Sequence, residues 1–177
     1  MEARKLRDAV WSERNVHISQ KGFVQMTKPL IEFMRPYGPF VDVGAGTGWM
    51  SKVLNDNGIG CLPTDRYKRT PDYAFEKFYG DIERLRGCAA IEKYDKRNVI
   101  MSWPSYNAEW PTRALYAINP DQKLMYLGER HGGCTGSDKF HEYLERHFEE
   151  IDWFGYAVWD ECYIRDSLSV FRRKHEG

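Results

Sequence analysis

Three glycines at alternate positions mark the stretch of this sequence best suited to bind a ligand. Gly44, Gly46 and Gly48 follow the apolar segment Phe40–Val43 and precede a helical pattern that starts at Trp49. Glycine allows a tight turn and lets a ligand approach the backbone closely. A helix N-terminus adds backbone N–H groups and a partial positive charge. Strand, turn and helix together therefore predict a site where a ligand contacts the backbone.

The spacing of the glycines narrows the choice of ligand. A dinucleotide fingerprint has a glycine at its sixth position, where this chain has Trp49, and a P-loop ends in Gly-Lys-Ser/Thr, which is absent here. A second strand is predicted over residues 59–64 and ends at Asp65, whose carboxylate can accept hydrogen bonds from both hydroxyls of a ribose. The pattern favours a nucleoside-containing ligand. The alternative is a glycine-rich turn without a ligand in another kind of α/β protein.

The turn, the helix and Asp65 resemble the first motifs of class I S-adenosylmethionine (SAM)-dependent methyltransferases. Their first motif reads apolar-acid-apolar-Gly-x-Gly-x-Gly, and an acid closes the next strand. The resemblance implies SAM as cofactor, with Asp42 and the glycine turn at its methionine end and Asp65 at its ribose. The cofactor-binding residues that we predict are Asp42, Gly44, Ala45, Gly46, Gly48, Asp65, Arg66, Asp81, Ile82 and Ser102.

Two later segments extend the resemblance. Residues 78–82 resemble the third motif, in which Asp81 would accept from the adenine amino group and Ile82 would pack on the ring. After a predicted strand at residues 98–102, the sequence Trp-Pro-Ser-Tyr occupies the place of the fourth motif, which reads Asn/Asp-Pro-Pro-Tyr/Phe in amino-methyltransferases. Trp103 has no acceptor oxygen. The usual geometry of nitrogen methylation is therefore not expected.

Two loops carry the residues predicted to meet the methyl acceptor. An aromatic cage of Trp103, Tyr106 and Trp110 would suit a flat or cationic acceptor. In the loop at residues 128–136, which contains four glycines, Glu129 or His131 would remove a proton from the acceptor. The alternatives are a rigid turn with aromatic rings in the core, and a loop shaped only by its glycines. The catalytic candidates are Trp103, Pro104, Tyr106, Glu129 and His131, and no metal site is predicted.

The Trp-Pro-x-Tyr turn and the later Gly-Gly-Cys-Thr-Gly segment together resemble a small group of methyltransferase-like proteins whose substrate is unknown. Over the whole chain, the resemblance implies an α/β, three-layer Rossmann-like methyltransferase fold. Its sheet would be mostly parallel and seven-stranded, with a C-terminal antiparallel hairpin from strands predicted at 151–159 and 167–172. A helix is predicted over 22–35, and residues 1–20 are interpreted as an N-terminal lid on a single domain spanning 1–177.

Composition limits the partners. The 26 basic and 26 acidic residues cancel, which argues against tight, nonspecific nucleic-acid binding. We therefore expect a small molecule, a protein side chain or an exposed base as acceptor, and keep a nucleic-acid base methyltransferase as an alternative because Arg66, Lys68 and Arg69 form a basic loop. A SAM-binding module without transferase activity and a SAM-cleaving enzyme also remain open. Four dispersed cysteines and the lack of a long apolar run favour a cytoplasmic protein without a membrane partner.

Overall fold

A computed structural model describes residues 2–67, 75–156 and 158–174. Within these ranges the helices are α1 (Glu2–Lys21), α2 (Lys28–Met34), α3 (Trp49–Asp56), α4 (Gly87–Lys93), α5 (Trp110–Ala117) and α6 (Asp138–His147). The strands are β1 (Phe40–Val43), β2 (Cys61–Asp65), β3 (Glu83–Arg84), β4 (Asn98–Ser102), β5 (Lys123–Gly128), β6 (Phe148–Gly155) and β7 (Ser167–Arg173). None of the described helices combines the length and apolar character that crossing a membrane requires.

The strands form one sheet in the order β3-β2-β1-β4-β5-β7-β6. Strands β1 to β5 pair in parallel, whereas β7 pairs antiparallel with both β5 and β6. The predicted seven-stranded, mostly parallel sheet with a C-terminal antiparallel hairpin is confirmed. The strand order reverses between β1 and β4, and ligands in open α/β sheets bind outside the carboxyl ends of strands at such a point.

Helices cover both faces of the sheet because the central strands are apolar on both sides. Along β1, Phe40 belongs to the core cluster that includes Leu30 of α2 and Leu54 of α3. Its neighbour Val41 points to the opposite face and joins the cluster with Leu115 of α5. Successive side chains of a strand face opposite ways. Buried strands of this kind therefore need a helical layer on each side, which gives the three layers.

The helix predicted over 22–35 is shorter than expected. It begins only at Lys28, because Thr27 adopts an extended backbone and its hydroxyl accepts from the backbone N–H of Leu30. Gly22, which ends α1, has a left-handed φ of 91°. Phe23 therefore lies in the connection between two helices, where its ring stacks on Trp103.

The aromatic strand predicted at 151–159 is displaced toward the N-terminus. Strand β6 starts at Phe148 and ends at Gly155, and a 3-10 turn at Asp160–Cys162 follows. Pairing with β7 decides these bounds, because Phe148 lies opposite Arg173 and Gly155 lies opposite Ser167. The N-terminal segment interpreted as a lid is helical, and the helix extends as far as Lys21.

Candidate functional site

The turn after β1 depends on left-handed backbone at three glycines. Gly44, Gly46 and Gly48 have φ angles of 76°, 55° and 75°, a region that costs other residues about 1–2 kcal/mol. The backbone N–H groups of Gly44 and Ala45 both donate to the carbonyl of Thr64, which fastens the turn to β2. Gly44, Ala45 and Gly46 remain partly exposed. Their backbone surface is thus accessible to a ligand.

Asp65 faces this turn from the end of β2. Its Oδ2 accepts from the N–H of Gly46 at 3.1 Å, and its Oδ1 accepts from the N–H of Tyr67 at 2.9 Å. Burial raises the pKa of Asp65, and the hydrogen bonds from the backbone partly oppose that effect. A carboxylate offers about four acceptor positions. The backbone donors occupy only part of this capacity, so room remains for the hydroxyls of a ribose. The neighbouring Arg66 is exposed, with its guanidinium over the Tyr67 ring.

Asp42, predicted at the methionine end of SAM, lies beneath the turn and is only 1% exposed. Its Oδ2 accepts from the Ser51 hydroxyl at 2.8 Å, which ties β1 to α3. Its Oδ1 has no hydrogen-bond partner among the described residues. Burial raises the pKa of Asp42 to about 7. The contact with Ser51 is structural, and a direct contact between Asp42 and SAM stays a prediction.

Residues 75–82 cover the turn. Tyr79 donates its N–H to the carbonyl of Thr47 at 2.8 Å, and Ile82 packs against Gly48, 3.2 Å from the position of an added Cβ. Asp81 is exposed and precedes β3 by two residues. The segment that resembles the third motif, residues 78–82, therefore ends immediately before β3, which begins at Glu83. The predicted contacts of Asp81 and Ile82 with adenine remain untested.

Trp103 follows Ser102, the last residue of β4, and is fixed by three contacts. Its backbone N–H donates to the carbonyl of Leu127 at 2.8 Å, and its indole Nε1 donates to Oδ2 of Asp166 at 3.1 Å. The indole stacks on Phe23 with centroids 4.9 Å apart. Trp103 has a φ of 45°, which is strained for a bulky side chain. Contacts from three distant parts of the chain therefore hold this conformation.

The structure does not bring the three predicted cage residues together. Tyr106 is 43% exposed and lines a separate surface depression beside Tyr116. The Trp110 ring lies at the position that a side chain on Gly44 would occupy, so it packs against the underside of the turn. Pro104 is buried, and its carbonyl accepts from the N–H of Gly136 at 2.8 Å, which joins the two acceptor loops.

Glu129 braces its own loop. Its Oε2 accepts from both the N–H and the thiol of Cys134 at 2.8 Å, and its Oε1 accepts from the N–H of Arg165 at 3.1 Å. Burial acts to raise the pKa of Glu129, but these hydrogen bonds outweigh it and the pKa is lowered. A carboxylate held in this way is a weak proton acceptor. Its predicted role as a base remains untested.

His131 lies against α6. Its ring stacks on His141 with centroids 5.4 Å apart, and Asp138 and Glu145 are its charged neighbours at 3.5 and 3.7 Å. Its side chain is 44% exposed. The structure therefore directs His131 toward α6, and its predicted role as a base remains untested. The described residues contain no group of three or more His, Cys, Asp or Glu side chains that could hold a metal ion.

An open cavity of about 390 Å³ lies between α1 and the carboxyl ends of β4 and β5. This volume is within the usual range for small-molecule sites. Trp103 lies in its wall, whereas Tyr106, Glu129 and His131 do not. The lining residues are Trp11, Arg14, Asn15, Ile18, Ser19, Phe23, Phe75, Trp103, Cys134 and Ile164. Phe75 also lies beside Gly46, so the cavity borders the glycine turn.

Asp166 is a buried carboxyl that the sequence did not single out, since it lies in a polar stretch before β7. It is 5% exposed, and its Oδ1 has no hydrogen-bond partner among the described residues. Burial raises its pKa to about 7, against the hydrogen bond from Trp103 and with a further contribution from the charge of Glu129. Asp166 therefore titrates near neutrality next to the cavity.

Replacing Asp166 by Asn should make stability less dependent on pH. Burial raises the pKa of Asp166 from 3.8 to about 7, so its stabilising effect is present below pH 4 and is lost as the pH rises toward 7. Asparagine has no proton to lose. As the pH rises from 5 to 8, the free energy of unfolding of the wild type should fall by on the order of 2 kcal/mol more than that of the variant. Urea unfolding at both pH values measures this, and parallel pH profiles would contradict the assignment.

No family model matches the chain, and no curated protein matches its sequence. A SAM-dependent methyltransferase from Anabaena variabilis superposes with a TM-score of 0.56 at 12% identity, covering 96% of this chain and 95% of that one. The chain has a Rossmann-like methyltransferase fold. At this level of identity the likeness establishes the fold alone.

Two further structures share the fold. The PH0226 protein from Pyrococcus horikoshii has a TM-score of 0.52 at 13% identity, with 89% of this chain and 96% of that chain covered. The mitomycin 7-O-methyltransferase MmcR has a TM-score of 0.53 at 12% identity. The match covers 98% of this chain but 58% of MmcR. The shared part is therefore nearly the whole of the present chain.

Proposed function

We propose that the protein transfers the methyl group of SAM to an acceptor. One observation carries the proposal: at the reversal of strand order, the glycine turn after β1 faces the carboxylate of Asp65, with Gly46 N and Oδ2 3.1 Å apart. The turn offers backbone surface, and Asp65 offers free acceptor positions, which together suit an adenosine. The methyltransferases that share the fold support SAM over other nucleosides.

The cofactor would lie along the carboxyl ends of β1 and β2. Gly44 to Gly46 would contact its methionine end, and Asp65 would bind its ribose. SAM supplies a methyl group on a sulfonium, which is released as a thioether when the lone pair of the acceptor forms the new bond. The chain then has mainly to align the acceptor and to exclude water. The fixed ring of Trp103 and helix α1, which line the cavity, suit that role.

The acceptor is proposed to be a small molecule, a protein side chain or an exposed base. Trp103 has no acceptor atom for a base amino group, and its indole N–H already donates to Asp166, so this position offers a flat ring surface alone. A nucleic-acid base remains the less favoured alternative, supported by the exposed Arg66. Lys68 and Arg69, the other basic residues of that loop, lie outside the described residues. The expected cytoplasmic location likewise stays a prediction.

A second candidate is a SAM-binding module that performs no transfer, or an enzyme that cleaves SAM. This candidate is favoured by the hydrogen bonds of Glu129, whose two oxygens accept from Cys134 of its own loop and from the backbone N–H of Arg165. Incubation with SAM followed by mass spectrometry separates the cases. Transfer yields S-adenosylhomocysteine and a methylated acceptor, cleavage yields other fragments of SAM, and mere binding leaves SAM intact.

SAM and S-adenosylhomocysteine should each raise the melting temperature, whereas NAD should not. Ligand at one hundred times its dissociation constant adds roughly 2.7 kcal/mol to the free energy of unfolding. NAD is disfavoured because the position of the third fingerprint glycine holds Trp49, which packs on Tyr79 with ring centroids 4.7 Å apart. A thermal-shift assay with all three ligands provides the measurement. A shift with NAD alone would refute the assignment of the cofactor.

A further inference from the structure

Arg14 is a buried cation in the wall of the cavity. It lies on α1, is 5% exposed, and its Nε makes no hydrogen bond in the described part of the chain. Among the described residues, no carboxylate forms an ion pair with it. Burying a charge is costly unless it is paired. A buried guanidinium that borders an open cavity is therefore suited to a negatively charged ligand.

Aromatic rings surround the guanidinium. Its central carbon lies 5.5 Å from the Trp11 ring centroid, 6.0 Å from that of Phe23 and 5.2 Å from that of Trp103. Such contacts stabilise a cation and position it without neutralising its charge. The sequence predicts that the aromatic rings near Trp103 bind a flat or cationic acceptor. Because Arg14 already supplies the cation there, a second positive charge would be repelled, whereas a flat anion would be attracted.

The charge of Arg14 acts to lower the pKa values of Glu129 and Asp166, but neither of these two described acids forms an ion pair with it. Glu129 directs its oxygens at Cys134 and at the N–H of Arg165, and Asp166 directs one oxygen at the indole of Trp103. Burial raises the pKa of Asp166 to about 7, so at neutral pH and below much of it carries no charge. The guanidinium thus keeps capacity for a planar, bidentate contact with a carboxylate or phosphate.

The cavity lies on the acceptor side of the site. Cys134 follows β5, whereas Asp65, the proposed ribose ligand, ends β2. Strand β5 is the third neighbour of β2 in the sheet, and three strand spacings amount to about 14 Å. The wall formed by Trp103, Cys134 and Ile164 is therefore well separated from the ribose position. Phe75 lines the cavity and also lies beside Gly46, so it marks the border between the cavity and the glycine turn.

We propose that this cavity is the acceptor site and that it takes a small planar molecule bearing a carboxylate or phosphate, anchored by Arg14. The inference rests on the proposed methyl transfer, since it names the acceptor class for that reaction. The aromatic walls bind the flat body of the molecule, and Arg14 binds its anionic group. The methionine carboxylate of SAM has the same chemistry as the anion proposed here, so the test must separate the two sources.

The test is a set of binding titrations followed by tryptophan fluorescence, since Trp11 and Trp103 line the cavity. The probes are benzoates, indole carboxylates and aryl phosphates, each paired with its neutral amide or alcohol. Wild-type protein should bind the best acids at least tenfold more tightly than their neutral partners, as expected for hydrogen bonds to a charged group. Arg14→Gln should reduce that preference to less than twofold. The control is Arg130→Gln, because Arg130 is an exposed arginine paired with Glu150.

The titrations are repeated with S-adenosylhomocysteine as the ligand. If Arg14→Gln leaves its affinity within twofold, the anion belongs to the acceptor. A tenfold loss would assign Arg14 to the methionine carboxylate and overturn the proposal, as would a wild-type protein that prefers no acid over its neutral partner. If Arg14→Gln does not fold, Arg14→Lys, which keeps the charge but not the bidentate geometry, should still weaken acid binding. If the wild-type protein prefers the acids but does not bind S-adenosylhomocysteine, the proposed methyl transfer is refuted and the anion site at Arg14 is retained.

Discussion

Asp65→Ala should weaken binding of S-adenosylhomocysteine by about 2–4 kcal/mol, roughly 30- to 1,000-fold in the dissociation constant. The variant loses the charge-assisted hydrogen bonds to the ribose. It also leaves the N–H groups of Gly46 and Tyr67 without the acceptor that they have in the native protein. The glycine turn is thereby loosened at the surface that the ligand contacts. Calorimetric titration with S-adenosylhomocysteine measures the loss.

Asp56→Ala is the matched control. Asp56 is an exposed acid at the end of α3, paired with Lys52, so its removal changes the net charge equally but away from the turn. The affinity of the Asp56→Ala variant for S-adenosylhomocysteine should stay within twofold of wild type. If Asp65→Ala retained an affinity within threefold of wild type, Asp65 would not be the ribose ligand, and the proposed orientation of SAM would fail.

The glycine turn could be predicted from sequence because its determinants are local. Alternate glycines between a short apolar strand and a helical pattern specify left-handed backbone, and Gly44, Gly46 and Gly48 all adopt it. The contact between this turn and Asp65 follows from the same logic. Two parallel strands that are neighbours bring their carboxyl ends to one edge. The seven-stranded sheet with its final hairpin is expected from the resemblance to class I methyltransferases, and the alternation of strands and helices agrees with it.

The surroundings of Trp103 could not be predicted, because they join residues far apart in the chain. Its indole meets Phe23 from the connection after α1, Arg14 from α1 and Asp166 before β7. Nothing in the sequence around these residues reveals that they meet Trp103. The sequence showed an aromatic turn and suggested a cage, whereas tertiary packing inserted the guanidinium of Arg14 among the rings.

The residues predicted to act as proton acceptors show a second limit of prediction from sequence. Glu129 and His131 follow a buried strand and precede a glycine-rich segment, where catalytic groups commonly lie. The sequence does not reveal that the loop folds back so that Cys134 and Arg165 donate to Glu129. Nor does it reveal that His131 stacks on His141 of α6. A loop residue's hydrogen-bond partners depend on backbone geometry that composition alone does not fix.

Gly48→Ala should lower the free energy of unfolding by about 2–5 kcal/mol, more than any other single methyl added to a left-handed position nearby. Two costs combine. The φ of 75° is strained for alanine, and the new Cβ would lie 2.6 Å from the carbonyl oxygen of Tyr79 and 3.2 Å from Ile82. That carbonyl cannot move away easily, because the N–H of Tyr79 is bonded to Thr47.

Gly58→Ala separates the two costs. Gly58 also has a φ of 75°, but nothing lies within 4 Å of the position of its added Cβ. Its substitution should therefore cost only the backbone strain, about 1–2 kcal/mol. Urea unfolding of both variants measures the difference, which reports how closely residues 79–82 pack on the glycine turn. Equal losses would show that this segment yields to a methyl group, and that the turn is less tightly covered than the structure indicates.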